Sequence, residues 1–286
     1  MKKISYSIIA IFLFGLIAMG FTNKANIKTS FLIQTAETNV SSASLSQSAV
    51  IISNRLKDFS ADKYEVTVIP EKSQIQVTLA NDQDLSTVEK LLTQKGAMVF
   101  YETYNRKSFS ELLNSDHHLF SLFNVSNADD SGAKIGCTSV SGVKKVNDYL
   151  ITSGLSQKYK FAWSQNADSS DVCLYALKTN SDKTALITGT DIESVKFKQD
   201  KASKSSEIDI ILKKSVVGLW ADATKRNMNN TIAIVLDDHV ISAPVVRSEI
   251  TGGHCTITGN YSQTEAKYIA ALGNNGALPV SFKIVK

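Results

Sequence analysis

Two periods of apolar positions organise the chain after residue 30. Residues 31–36 (FLIQTA) read as a strand. Over 43–59, Leu45, Ala49, Ile52, Leu56 and Phe59 fall on one helical face, with Arg55 and Lys57 off it. Tyr64, Val66 and Val68 then alternate with Glu65 and Thr67, Glu71-Lys72-Ser73 turns the chain, and Ile75, Val77 and Leu79 alternate again. Asp84 is placed to cap a second helix carrying Leu85, Val88, Leu91 and Leu92, with Gly96 at its end. Residues 97–103 (AMVFYET) add another strand. The order β-α-β-β-α-β packs most simply as two helices on one face of an antiparallel sheet, a ferredoxin-like arrangement.

Residues 105–185 break this regularity. Phe109, Leu112 and Leu113 suggest a short helix, Ser141 is a candidate cap for another carrying Val143, Val146 and Leu150, and 173–178 (CLYALK) reads as a strand. Loops rich in Ser, Asn and Asp separate them, so the stretch reads as an irregular insertion. Order returns with strands at 191–199 and 205–212, and a helix over 213–228 with Val216, Val217 and Trp220 inward. A further helix spans about 262–273, with Asn260 or Ser262 as its cap, and a last strand is VSFKIV.

The most informative stretch is 232–253, IAIVLDDHVISAPVVRSEITGG. Ile232, Ile234 and Leu236 alternate with Ala233, Val235 and Asp237, and 240–246 is equally β-prone, which predicts a hairpin turning at Asp238-His239. Pro244 cannot donate to a ladder, so the second strand is an edge or is bulged there. Gly252-Gly253 marks another tight reversal. Asp237, Asp238 and His239 are a poor metal or acid–base set, because adjacent strand residues point to opposite faces and no further ligand lies at metal spacing.

The N-terminus changes the picture. Met1-Lys2-Lys3 precedes an uncharged apolar run over residues 4–21, the layout of either a cleaved export signal or one membrane anchor over 1–23. Both readings place the rest of the chain outside the cytoplasm. That compartment permits disulfides, and Cys137 with Cys173 is the natural pair, leaving Cys255 as a small buried apolar residue. With 31 basic and 27 acidic side chains the net charge is only +4, which gives no footprint for nucleic acid.

No G-x-S-x-G, H-E-x-x-H, P-loop or G-x-G-x-x-G is present, so no enzyme and no cofactor are expected. His117-His118, Asp129-Asp130 and the Lys201–Lys204 run read as solvated loop residues. The aromatics Phe109, Phe120, Phe123, Tyr159, Phe161 and Trp163 read as core, or else as the lining of a closed pocket.

Residues 231–258, TIAIVLDDHVISAPVVRSEITGGHCTIT, resemble the core of the first periplasmic region of the SecD family, which assists the Sec translocon. The strand–helix unit 206–228, ITGN at 257–260, Glu265-Ala266 and Gly276-Ala277-Leu278-Pro279 follow in family order. The dense match runs over about 185–286, and 31–104 resembles the family's base more loosely. The resemblance implies an α+β body. A ferredoxin-like base (24–104) carries the insertion (105–185) and a head (186–275), and 276–286 returns as a strand to the base. It implies contact with unfolded secretory polypeptide or translocon components on the trans side. The edge formed by Ile241, Ala243, Pro244, Val245, Gly252 and Gly253 is then the candidate contact, and membrane association comes through the N-terminal helix if it is uncleaved. The family's later membrane spans, which carry proton coupling, are not expected here. The alternative is a divergent envelope scaffold or small-ligand binder.

Overall fold

A computed structural model describes residues 29–59, 63–79, 84–114, 118–124, 132–165, 171–200, 205–259 and 261–285. The N-terminal apolar segment, His117, Asp129-Asp130, the Lys201–Lys204 run and Asn260 lie outside them. Among the described residues no helix is long and apolar enough to cross a membrane.

The chain opens with β1 (Thr29–Thr35), α1 (Ser42–Phe59), β2 (Tyr64–Ile69), β3 (Gln74–Leu79) and α2 (Leu85–Thr93). It continues with β4 (Met98–Thr103), α3 (Arg106–Leu112), α4 (His118–Ser121), β5 (Lys134–Ser139), α5 (Val143–Thr152), α6 (Leu155–Lys158), β6 (Lys160–Ser164) and β7 (Asp171–Lys178). The remainder is β8 (Ile192–Gln199), β9 (Ser206–Leu212), α7 (Val217–Arg226), β10 (Ile232–Leu236), β11 (His239–Ser242), β12 (His254–Thr258), α8 (Gln263–Asn275) and β13 (Phe282–Val285).

Three sheets result. The first has the order β13-β1-β3-β2, antiparallel throughout. Ile33, Ile75 and Val77 from its strands are fully buried against Ile52, Leu56, Val88 and Leu92 from α1 and α2. Each such side chain contributes about 1.5–3 kcal/mol on leaving water. The fourth strand of this sheet is β13, so residues 97–103 do not complete it as the sequence order suggested. The reason lies in β4 itself, which is apolar on both faces. Met98 and Phe100 pack into one core while Tyr101, with Val99 beside it, packs into another.

β4 belongs to the second sheet, in the order β4-β10-β11-β6-β7-β5. It also meets the end of β7 (Glu102↔Lys178, Thr103↔Leu177), so β4, β10, β11, β6 and β7 close into a ring, and β5 extends it along β7. Tyr101, Ala162, Tyr175, Leu177, Ala233, Val235 and Val240 fill the ring. Residues 105–185, read as irregular, therefore supply half of this sheet. Their strands were obscured because most of their pairing is long-range and polar loops interrupt it.

The third sheet is β12-β9-β8. It shares a core with α8, α7, β4 and β10, to which Phe59 and Leu91 reach from the first unit. A Ser262–Glu265 capping box starts α8: Ser262 Oγ accepts from Glu265 N–H, and Glu265 Oε2 accepts from Ser262 N–H. Ser141 caps nothing, since α5 begins after Gly142 without a side-chain cap.

Candidate functional site

The β10–β11 hairpin lies in the second sheet, packs on the core shared with the third, and reaches the loop after α2. Its turn is Asp237-Asp238, one residue earlier than expected, with φ of 48° and 64°. Two left-handed residues match the twist of the flanking strands, and Asp tolerates that backbone. Asp237 is also held from the side: its Oδ1 and Oδ2 accept from Ala97 N–H (2.7 Å) and Gly96 N–H (2.9 Å). Asp238 pairs with Lys160 at the surface (2.9 Å), and His239 Nδ1 contacts its neighbour's carbonyl, Asp237 O. The three side chains go to three different partners and do not converge on one site. Among the described residues no group of three or more His, Cys, Asp or Glu is placed to hold a metal.

β10 is buried on both faces, because Ile232, Ile234 and Leu236 face the α8 core and Ala233 and Val235 face the ring. β11 is not a free edge along its whole length, since His239 and Val240 pair in parallel with Trp163 and Ser164 of β6. The register shifts between Ile234 and Val235, which leaves Ile241 as the extra residue of a bulge, not Pro244. Tyr261 Oη donates to Ile241 O at 2.6 Å and fixes that bulge.

Beyond it the strand swings out of the sheet. Ile232 N–H donates to Pro244 O and Val246 N–H to Asn230 O, so Val245 bridges Thr231 with its own N–H and C=O directed away from β10. Among the described residues those two groups, and those of Ala243, have no backbone partner. Val245 is 42% exposed. The six expected edge residues thus separate. Pro244 and Val245 are exposed, Ile241 and Ala243 pack against cores, Gly252 is exposed at the next reversal, and Gly253 is buried with its carbonyl accepting from Leu212 N–H.

Cys137 and Cys173 stand opposite each other across β5 and β7 and are joined in a disulfide. Cys255 is a free, partly buried thiol on β12, and burial pushes it up to about 12. The insertion's aromatics form a packed cluster, in which Phe109 is fully buried and meets Tyr159 and Phe161 edge-on. An open groove of about 410 Å³ on this side is lined by Tyr104, Ser108, Glu111, Leu112 and Lys178, none of the six aromatics among them.

Residues 168–280, which include the hairpin and its outward edge, match the family described as SecDF, P1 head subdomain. Over that stretch the chain is similar to the SecDF P1 head. The protein translocase subunit SecD of Acidaminococcus fermentans is 35% identical over 101 residues, covering 35% of this chain and 24% of that protein. SecD of Calditerrivibrio nitroreducens is 23% identical over 254 residues, covering 82% of this chain and 48% of the relative. The chain therefore spans less than half the length of these relatives. A crystal structure of SecDF in a super-membrane-facing form superposes over 90% of this chain and 29% of its own, at 18% identity and a TM-score of 0.55. A second SecDF structure, described as a membrane component that enhances protein export, covers 90% of this chain and 98% of its own with a TM-score of 0.54. At this identity the likeness is one of fold, a mixed α+β architecture that extends beyond residues 168–280.

Sequence reasoning missed Arg55. The helical pattern put it on the solvent side of α1, yet its side chain is fully buried. A signal was available: Gly96 and Gly276 follow two helices that end with no nearby cation except lysines, and the last carbonyls of such helices need donors.

Proposed function

We propose that this protein is a SecD-like module for protein export, acting on the trans side of the membrane. Residues 29–79, α2 and β13 form its ferredoxin-like base, and the head rises from it. An extended, unfolded polypeptide adds as a strand along Ala243-Pro244-Val245, using the outward backbone groups of Val245, while the Val245 side chain offers an apolar contact. Strand addition of this kind draws affinity from main-chain hydrogen bonds and is tolerant of sequence, which suits a factor that meets many exported chains. The single observation behind the reading is the bulge at Ile241, which turns a stretch of an otherwise closed ring into an unpaired edge inside the head. The reading involves no cofactor and no covalent chemistry. Among partners, the Sec translocon is the alternative to the exported chain itself.

Binding of a fluorescent, permanently unfolded polypeptide to the purified full chain tests it. Val245→Pro removes the outward donor without touching a buried side chain. The expected result is a loss of binding of about tenfold, the cost of roughly one such hydrogen bond, with melting temperature unchanged. Undiminished binding by a folded Val245→Pro protein would contradict the edge as the contact.

A further inference from the structure

The base and the rest of the molecule are joined by two chain crossings, one from α2 to β4 through Gln94-Lys95-Gly96-Ala97 and one from α8 to β13 through Gly276-Ala277-Leu278. Both crossings meet at one side chain. The Arg55 guanidinium donates from Nη1 to Leu91 O (3.1 Å) and Gln94 O (2.7 Å), and from Nη2 to Lys95 O (2.6 Å) and Gly276 O (2.8 Å). Among the described residues no carboxylate forms an ion pair with it, although the charge of Asp237 favours its cationic form. Its direct partners are the carbonyls at the C-terminal end of α2 and the carbonyl that follows α8, the negative ends of two helix dipoles.

The surroundings are shaped around that group. Gly96 has φ of 78°, and a Cβ there would lie 2.2 Å from Arg55 Nη2. Gly276 has φ of 70°. Leu278 N–H donates to Lys95 O, tying one crossing to the other. From the far side, Asp237 accepts from Gly96 and Ala97, so the hairpin that carries the Val245 edge is held to the same loop. Tyr268 of α8 donates its hydroxyl to Gln94 Oε1, and Asp58 of α1 accepts from Asn274 and Asn275.

We propose that Arg55 is the positioning residue that fixes the head on the base, by clasping both chain crossings with one guanidinium. The planar fork supplies donors in four directions at once, which a lysine ammonium cannot match. Without it the two crossings keep their chain connection but lose their common anchor, and the head becomes free to reorient.

Two readouts test this on the purified full chain. Spin labels at Thr67→Cys on β2 and Thr258→Cys on β12, in a Cys255→Ala background, report the base-to-head distance. Amide exchange is read at Gly96, Ala97 and Leu278 and compared with Ile75 and Val77 in the base sheet. Wild type gives one narrow distance. Arg55→Gln gives loss of that single distance and faster exchange at the crossing amides, with the β3 amides still protected, while Arg55→Lys falls between. A folded Arg55→Gln protein with the wild-type distance, or with exchange raised equally in β3, would overturn the proposal and leave Arg55 a core residue of the base. Should Arg55→Gln not fold, Asp237→Asn loosens the same loop from the hairpin side. A broadened distance in that variant supports the clasp, and an unchanged one contradicts it.

Discussion

At the scale of single residues, buried polar groups decide more than the apolar pattern does. Arg55 has its four carbonyl partners, and burial lowers its pKa to about 10, so it remains a cation at neutral pH. Replacing it strands those carbonyls in the interior. Arg55→Leu is expected to cost about 3–5 kcal/mol, the range for breaking a buried charged contact, as read by urea unfolding. A helical wheel cannot foresee this, because it assigns a charged residue to solvent and knows nothing of helix ends brought in from 36 to 221 residues away. Asp237 was legible as a turn residue, but its grip on Gly96 and Ala97 was not, for the same reason. Alkaline pH gives a second residue-level prediction. Burial raises the Cys255 thiol to about 12 and Tyr175 to about 12, and raises Tyr261 and Tyr268 as well. At these groups the folded protein keeps protons that the unfolded chain releases, so their contribution to stability is full below pH 9 and is lost as pH rises toward 12. Melting temperature measured from pH 8 to 11 should decline, and Cys255→Ala should flatten the first part of that decline.

At the scale of elements, local pattern located most strands and helices, while pairing was out of reach. The alternation in β2 and β3, the Asp84 cap and Ser262 as one of two candidate caps were visible because they depend on neighbours in sequence. The membership of β4 was not, since a strand apolar on both faces can enter either a one-sided sheet or a closed ring, and only partners far along the chain choose. The same holds for β5 to β7, where the Cys137–Cys173 disulfide now pins an added strand to the ring across a separation of 36 residues. Closing a loop of that size restricts the unfolded chain by about 3–4 kcal/mol. Reduction, or Cys137→Ser with Cys173→Ser, should lower the urea midpoint accordingly, and an unchanged midpoint would mean that β5 adds nothing to the ring's stability. Ser262→Ala should cost about 1 kcal/mol through loss of the α8 cap.

At the scale of the whole molecule, one side of the chain's logic is a two-layer unit closed by its first and last strands, and the other is a ring and a small sheet sharing α8. The hairpin 232–246 joins these parts: its turn grips the α2–β4 crossing through Asp237, its first strand is core on both faces, and its far end leaves the sheet at Ile241. The sequence marked that hairpin as the place of interest through Pro244 and the two glycines, and the structure narrows the accessible part to Pro244, Val245 and Gly252. The most direct test is site-specific photo-crosslinking from Val245 in cells that hold a secretory protein stalled part-way through export. The account expects a crosslink to the stalled chain that disappears once the chain is released and folds. No crosslink from Val245 or Ala243, with this protein present and folded, would contradict it.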